Sequence, residues 1–259
     1  MKNNYTLVLG CDKKHLEQLT YTWPTWVRHK PSIFKQPVIV FYDQNEVIHR
    51  EVQAVVGNHA QIVPFPVNGI DFFFPYDGTR FTVSQRCRML SGFVYVAGEH
   101  VKTSYWLKLD TDVVATGQDD WIDPEWFKSK PAIISHPWTF TKPPNQMMLL
   151  DEWVKGRKGF ENTKPLNLIP KPDSDRLGHK RIISWCGFFH TEFTRMCVQY
   201  AKQNDGRFHM PCPSQDGYMW WAAARLQWSI ERINMKRCGW QQWNCMSNIK
   251  KHAEIAMQS

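Results

Sequence analysis

The sequence predicts an α/β fold, a largely parallel sheet with helices on both faces, and three observations predict it. Apolar runs suited to buried strands recur over the first 115 residues, at Tyr5–Cys11, Pro37–Tyr42, Ala60–Phe65 and Tyr105–Leu109. They are nearly continuous rather than alternating, as strands covered on both faces read. Segments with helical apolar spacing lie between them, so strand and helix alternate. The fourth run ends in Asp110-Thr111-Asp112, and open sheets of this kind bind ligands beyond the carboxyl ends of their strands.

The first strand, Tyr5–Cys11 (YTLVLGC), leads to Asp12, placed to cap a helix carrying Leu16, Leu19 and Trp23. Pro24 is expected to weaken or kink that helix. The second strand, Pro37–Tyr42 (PVIVFY), ends at Asp43, and apolar residues at 47, 48, 52, 55 and 56 mark a helix over Val47–Val56. The third, Ala60–Phe65 (AQIVPF), is ended or confined to an edge by Pro64. Phe72–Tyr76 reads as an aromatic loop. A helical stripe at 83, 87, 90 and 94 covers Thr82–Val96, and the acidic strand follows.

The second half is less regular. Ala132–Ser135 (AIIS) is a short strand. Residues 139–181, rich in Pro, Lys and Asn, suggest long loops or a lid with a short helix near Met147–Val154. Arg181–His190 (RIISWCGFFH) reads as one buried strand interrupted at Gly187, and Glu192–Gln203 as a helix. Ser214 caps a helix from Gln215 to about Arg225, with Asp216 in its first turn. Leu226–Ile233 reads as a last strand and residues 234–259 as an irregular tail.

Composition narrows the function classes. The net charge of +8 favours an anionic partner, a phosphorylated substrate or an acidic membrane surface, or serves solubility alone. The basic residues are dispersed, with no arginine-rich arm or zinc finger, so sequence-specific nucleic-acid binding is disfavoured. No apolar run reaches the length of a membrane span. The N-terminus passes straight into a strand with no cleavage site, so no signal peptide is read. Seven scattered cysteines without a Cys-x-x-Cys pair fit reduced cytoplasmic thiols. Thirteen tryptophans exceed what is usual; core packing explains most, and flat rings also stack on sugars and bases.

The chemistry concentrates at Asp110 and Asp112. Carboxylates at i, i+2 on extended backbone share one side, where they repel unless both face water or a cation sits between them. Hard divalent cations, Mn²⁺ or Mg²⁺, suit such oxygens and bridge to phosphates. Asp43 and Cys11 also stand at strand ends, where a nucleotide pocket would need them.

An Asp-x-Asp after the fourth strand of such a series resembles the nucleotide-sugar-dependent glycosyltransferases of the A-type (GT-A) fold. The resemblance spans most of the chain and rests on LKLDTDVVA at 107–115, IISWCGFFH at 182–190 and PSQDGYMW at 213–220. It implies a single GT-A-like domain with a Rossmann-like sheet, residues 1–115 binding the nucleotide and 116–259 the acceptor. By this resemblance Asp110 and Asp112 form the metal site, Asp112 directly and Asp110 through water or on the ribose. Asp43 would hold the base or ribose, and Leu9, Gly10 and Cys11 would pass their main chain close to the base. Arg86, with Arg80 and Arg88 nearby, is the candidate to neutralise the leaving diphosphate, with a solvated helix face as the equal alternative.

Asp216 falls where inverting members place the general base; a charge at a helix start is the bland alternative. His252 is the C-terminal candidate for a third metal ligand, with His190 and His209 as rivals and Lys250 and Lys251 as diphosphate contacts. Trp138 and Trp185 are candidates for the acceptor side. The implied donor is a UDP- or GDP-sugar and the implied acceptor a glycan or lipid-linked hydroxyl, with inversion or retention left open. Peripheral contact with an anionic membrane is compatible with the charge. Two other readings stand beside it: a sugar-phosphate nucleotidyltransferase, and a non-catalytic carbohydrate- or nucleic-acid-binding module.

Overall fold

The computed structural model describes residues 5–65, 85–139, 180–182, 186–201, 219–220, 222–223, 226–234, 238–243 and 245–259. Strand β1 (Tyr5–Cys11) is followed by helix α1 (Lys13–His29), a 3-10 turn (Pro31–Lys35), β2 (Val38–Tyr42), α2 (His49–Val56) and β3 (Ala60–Pro64). Then come α3 (Gln85–His100), β4 (Tyr105–Leu109), β5 (Val113–Ala115) and β6 (Ile133–Ser135). Strands β7 (Pro137–Thr139), β8 (Lys180–Ile182) and β9 (Cys186–His190) precede α4 (Thr191–Ala201). The chain closes with β10 (Ile230–Arg232), β11 (Trp240–Gln242) and α5 (Met246–Gln258).

Seven strands form the central sheet in the order β10-β6-β9-β4-β1-β2-β3. Strands β4, β1, β2 and β3 are parallel, and β9 alone runs antiparallel to both its neighbours, β4 and β6. The alternation of side chains loads both faces. In β2, Ile39 and Phe41 join a core with residues of α3 and α4, while Val38, Val40 and Tyr42 join a second core with α1 and α2. Both faces are therefore covered by helices, as the continuous apolar runs require.

Local chemistry sets the element ends. Asp12 caps α1, its carboxylate accepting the His15 N–H at 2.9 Å. In α2 the Glu51 carboxylate accepts the Ile48 N–H at 3.1 Å, and Gly57 at φ +81° closes the helix.

Pro24 lies inside α1, which continues to His29, and three other expectations change. Both Pro24 and Thr20, whose carbonyl loses its helical partner, are on the exposed side, while Trp23 and Trp26 anchor the opposite side in the core. The single strand expected over 181–190 is two strands, β8 paired with β7 and β9 in the central sheet, and Gly187 lies within β9. The last strand is confined to Ile230–Arg232. The expected tail contains β11 and the 13-residue α5. That helix buries Ile249, Ala253 and Ala256, a spacing of four then three along one side, against α1 and β5. The aromatic loop at 72–76, the Met147–Val154 helix and the Ser214 cap lie outside the described residues, of which 219–220 and 222–223 are helical.

Candidate functional site

The acidic turn joins β4 to β5, and α1 grips it from one side. Thr111, between the two aspartates, is 2% exposed; its hydroxyl donates to Gln18 Oε1 at 2.8 Å, and its carbonyl accepts the Thr22 hydroxyl at 2.8 Å. The Trp26 indole N–H donates to the Val113 carbonyl at 2.8 Å, and the Thr25 hydroxyl accepts the Ala115 N–H at 3.0 Å. With Thr111 turned inward, the flanking Asp110 and Asp112 are both half-buried.

Each aspartate has its own partner. Asp110 is ion-paired with Lys108, the fully buried lysine two residues earlier in β4, whose ammonium lies 4.8 Å from the centroid of the Phe93 ring. Burial pushes the Asp110 carboxyl up to about 6; Lys108 opposes that shift and the Asp112 charge adds to it. Asp112 is also raised by burial, against the hydrogen bonds of the Gln242 amide. Gln242 Nε2 donates to both Asp112 oxygens, at 3.1 and 3.3 Å.

Gln242 comes from the far end of the chain. Strand β11 pairs antiparallel with β5, setting Gln242 opposite Val113, and the Trp243 N–H donates to the Asp112 carbonyl at 3.0 Å. Gly239 permits the approach: its φ is +73°, and a Cβ there would stand 2.3 Å from the Thr116 carbonyl oxygen. Helix α5 then fastens the segment to α1. A His29 ring nitrogen hydrogen-bonds the Ala256 carbonyl at 2.7 Å, and Lys250 lies 3.7 Å from the Glu17 carboxylate and over the Tyr21 ring.

The structure brings several sequence-identified residues to this end of the sheet. Strands β1 and β4 are in register from Tyr5↔Tyr105 to Val8↔Lys108, whereas β1 and β2 continue to Cys11↔Tyr42. Leu9, Gly10 and Cys11 thus run past their pairing with β4. Leu9 and Cys11 are fully buried, and burial pushes the Cys11 thiol up to about 12. Gly10 has a packing reason of its own, since a Cβ there would meet the Phe41 ring at 2.2 Å. Asp43 is buried just past β2; its N–H donates to the Cys11 carbonyl at 3.0 Å and its carboxylate accepts the Asn45 N–H at 2.9 Å. Arg86 is in the first turn of α3, the helix that leads into β4.

His252 lies on α5 with its ring stacked on Trp243, centroids 3.6 Å apart and planes 5° from parallel. It is one residue contact removed from Asp112. Among the described residues no group of three or more His, Cys, Asp and Glu could hold a metal ion. His190 is at the wrong end for a ligand: antiparallel β9 sets it opposite Tyr105, at the start of β4, and places Cys186 opposite Leu109 at the end. Four residues of strand separate the two, about 13 Å. Asp216, His209, Arg80 and Trp185 lie outside the described residues, and Trp138 is in β7.

Sequence reasoning missed Lys108 and Gln242. Lys108 left a signal, a charge in an apolar strand on the same side as Asp110 two residues on. Gln242 left none, because its partner is 130 positions away.

No protein-family model matches the sequence, and no curated protein matches it. Solved structures do. Core-mannan synthase A from Aspergillus fumigatus, in a Mn/GDP form, shares 12% identity over 93% of this chain and 75% of that one, with a TM-score of 0.58. The galactosyltransferase LgtC, in complex with donor and acceptor sugar analogues, shares 12% identity over 89% of this chain and 74% of that one, with a TM-score of 0.53. The mannosyltransferase Ktr4p from S. cerevisiae, in complex with GDP, shares 10% identity over 89% and 67%, with a TM-score of 0.50. At these identities the likeness is one of architecture, and the chain has the GT-A glycosyltransferase fold.

Proposed function

We infer that the protein is a metal-dependent glycosyltransferase that moves a sugar from a nucleotide-sugar donor to a hydroxyl acceptor. One observation carries this: on a GT-A fold, the turn bearing Asp110 and Asp112 is rigidly built at the carboxyl end of β4, beside the ends of β1 and β2 where Cys11 and Asp43 stand. Ligands of parallel sheets bind at that end.

The residues fit a divalent cation. Asp110 and Asp112, half-buried on one turn, are a hard-oxygen donor set. Asp110 and Asp112 would hold Mn²⁺ or Mg²⁺, which when bound offsets charge on the leaving nucleoside diphosphate. The rest falls to the chain's own residues. Asp43 and the main chain of Leu9–Cys11 would receive the nucleoside, and Arg86 would face the diphosphate. Asp216 would take the proton of the attacking hydroxyl in an inverting reaction; if it only orients the acceptor, retention is open to the enzyme as well.

A UDP- or GDP-sugar as donor and a glycan or lipid-linked acceptor complete the proposal. We place the activity in one domain, cytoplasmic, with peripheral contact to an anionic membrane. The seven scattered cysteines, without a Cys-x-x-Cys pair, support a reducing compartment. A nucleotidyltransferase would need a glycine-rich loop after the first strand, and here a single residue, Asp12, separates β1 from α1.

The test is incubation with a panel of UDP- and GDP-sugars, with and without Mn²⁺, measuring nucleoside diphosphate release. Release that requires the cation is expected, and Asp112→Asn should lower it at least about a hundredfold, the scale of losing one transition-state contact. Intact donors throughout, or full turnover by that variant, would sink the assignment. Pyrophosphate release from a nucleoside triphosphate and a sugar phosphate would make it a nucleotidyltransferase.

A further inference from the structure

We propose that His15, held by Asp12, is a further substrate-binding residue that donates a hydrogen bond to the diphosphate of the nucleotide sugar. This rests on the glycosyltransferase reading above and deepens it by naming a residue for the leaving group. His15 is in the first turn of α1, just past the carboxyl end of β1. Three later residues of α1 hold the acidic turn and the strand after it. Gln18 and Thr22 bind Thr111, and Trp26 binds the Val113 carbonyl. Positions 15, 18, 22 and 26 follow the three- and four-residue spacing of one helix side. His15 therefore continues that side by one turn, toward the strand ends and beside Asp110 and Asp112. The charges agree with this placement. Burial raises both carboxyls, and the charge of His15 is among the forces that oppose it at each.

The ring is also oriented. Nδ1 lies 2.7 Å from Asp12 Oδ1, the oxygen that accepts the His15 N–H and caps the helix. The His15 side chain is 30% exposed. With Nδ1 held by the carboxylate, Nε2 is the nitrogen left to meet a ligand, and as imidazolium the ring carries an N–H at each. Leu19 and Trp23, on another side of α1, pack in one core with Val38, Val40 and Tyr42 of β2. His15 thus faces the acidic turn, not the end of β2 where Asp43 would receive the nucleoside. A donor in that place suits phosphate oxygens. Their charge grows as the bond to the sugar breaks, and a charge-assisted hydrogen bond strengthens with it.

The experiment is binding of UDP and GDP in the presence of Mn²⁺, by isothermal titration calorimetry. It compares the unaltered chain with His15→Gln, His15→Phe, Asp12→Asn and Asp12→Asn/His15→Phe, with folding checked by circular dichroism. Glutamine brings an amide N–H to the place of Nε2, whereas phenylalanine keeps a flat ring without a donor. Asparagine caps a helix as well as aspartate does, so Asp12→Asn spares α1. For the nucleoside diphosphate that the unaltered chain binds, His15→Phe should weaken binding about tenfold or more, the scale of a hydrogen bond to a charged group. His15→Gln, which keeps a donor, should stay within about threefold. Asp12→Asn should cost about threefold and add nothing once His15 is replaced by Phe, because the two side chains act as one unit.

Binding kept in His15→Phe and lost in His15→Gln would mean that the ring stacks on the base, and the proposal falls. Equal losses in both variants, or none in either, overturn it too. An Asp12→Asn loss that persists in the double variant overturns the part given to Asp12. Absence of UDP and GDP binding to the unaltered chain overturns the donor reading and the His15 role together. The expected pattern without sugar transfer from any donor upholds His15 and removes only the transferase assignment.

Discussion

The first four strands and the segment 238–259 reach the same aspartates by opposite routes. In the β1-to-β4 half, β1, β2 and β3 pair in chain order, β4 returns to the far side of β1, and helices fold back onto the sheet they leave. The terminal segment crosses the molecule to pair with β5 and locks to α1. The early half therefore supplies the carboxylates and the terminal segment fixes how one of them is held. A site can be contributed by one region and completed by another that carries no acidic residue of its own at the point of contact.

The sharpest way to break this comparison is through the two cores. Phe41, between β1 and α3, and Trp240, packed on Trp26 and Trp121, are each at most 1% exposed. Replacing either by Ala should cost about 3–5 kcal/mol in urea denaturation, through one shared transition. A Trp240→Ala protein whose main transition is unmoved, while amide protection is lost in α5 alone, would make the terminal segment a separate unit.

A smaller effect sharpens the link to the site. Gln242→Leu should weaken Mn²⁺–nucleotide binding about tenfold with little change in thermal midpoint, because the backbone bond from Trp243 to Asp112 remains. Unchanged binding, by calorimetry, would reduce Gln242 to a strand residue.

The smallest lies in the early half. Asp12→Ala should cost about 1 kcal/mol at neutral pH through loss of the α1 cap. Burial raises the Asp12 carboxyl, yet the hydrogen bonds and charge of His15 outweigh it and hold the group below its usual 3.8. A carboxyl lowered on folding stabilises above the unfolded value and loses that contribution as pH falls through the folded one. The gap between the two proteins in acid titration of stability should therefore narrow below pH 3.8. A gap that persists there would show that the cap acts without its charge.

Legibility followed sequence distance. Strands β1 to β4 and helices α1 to α3 could be read because their burial is written in local apolar spacing and in a cap such as Asp12. The direction of β9 could not, since an apolar run looks the same whichever way it enters a sheet, and that direction removed His190 from the site. Helix α5 was missed because two of its three buried positions, Ala253 and Ala256, are too small to announce an apolar stripe. Lys108 was in plain view two residues before Asp110, but a lone basic residue in a strand carries no direction until its burial is known.

The pairing of β11 with β5 has a consequence for how the protein comes into being. The chain emerges from the ribosome N-terminus first, so Asp112 is made long before Gln242, which lies 130 positions later. The sheet can begin to assemble while the acidic turn still lacks its last hydrogen bonds. The site's competence therefore waits on the synthesis of β11, well after the carboxylates themselves have been made.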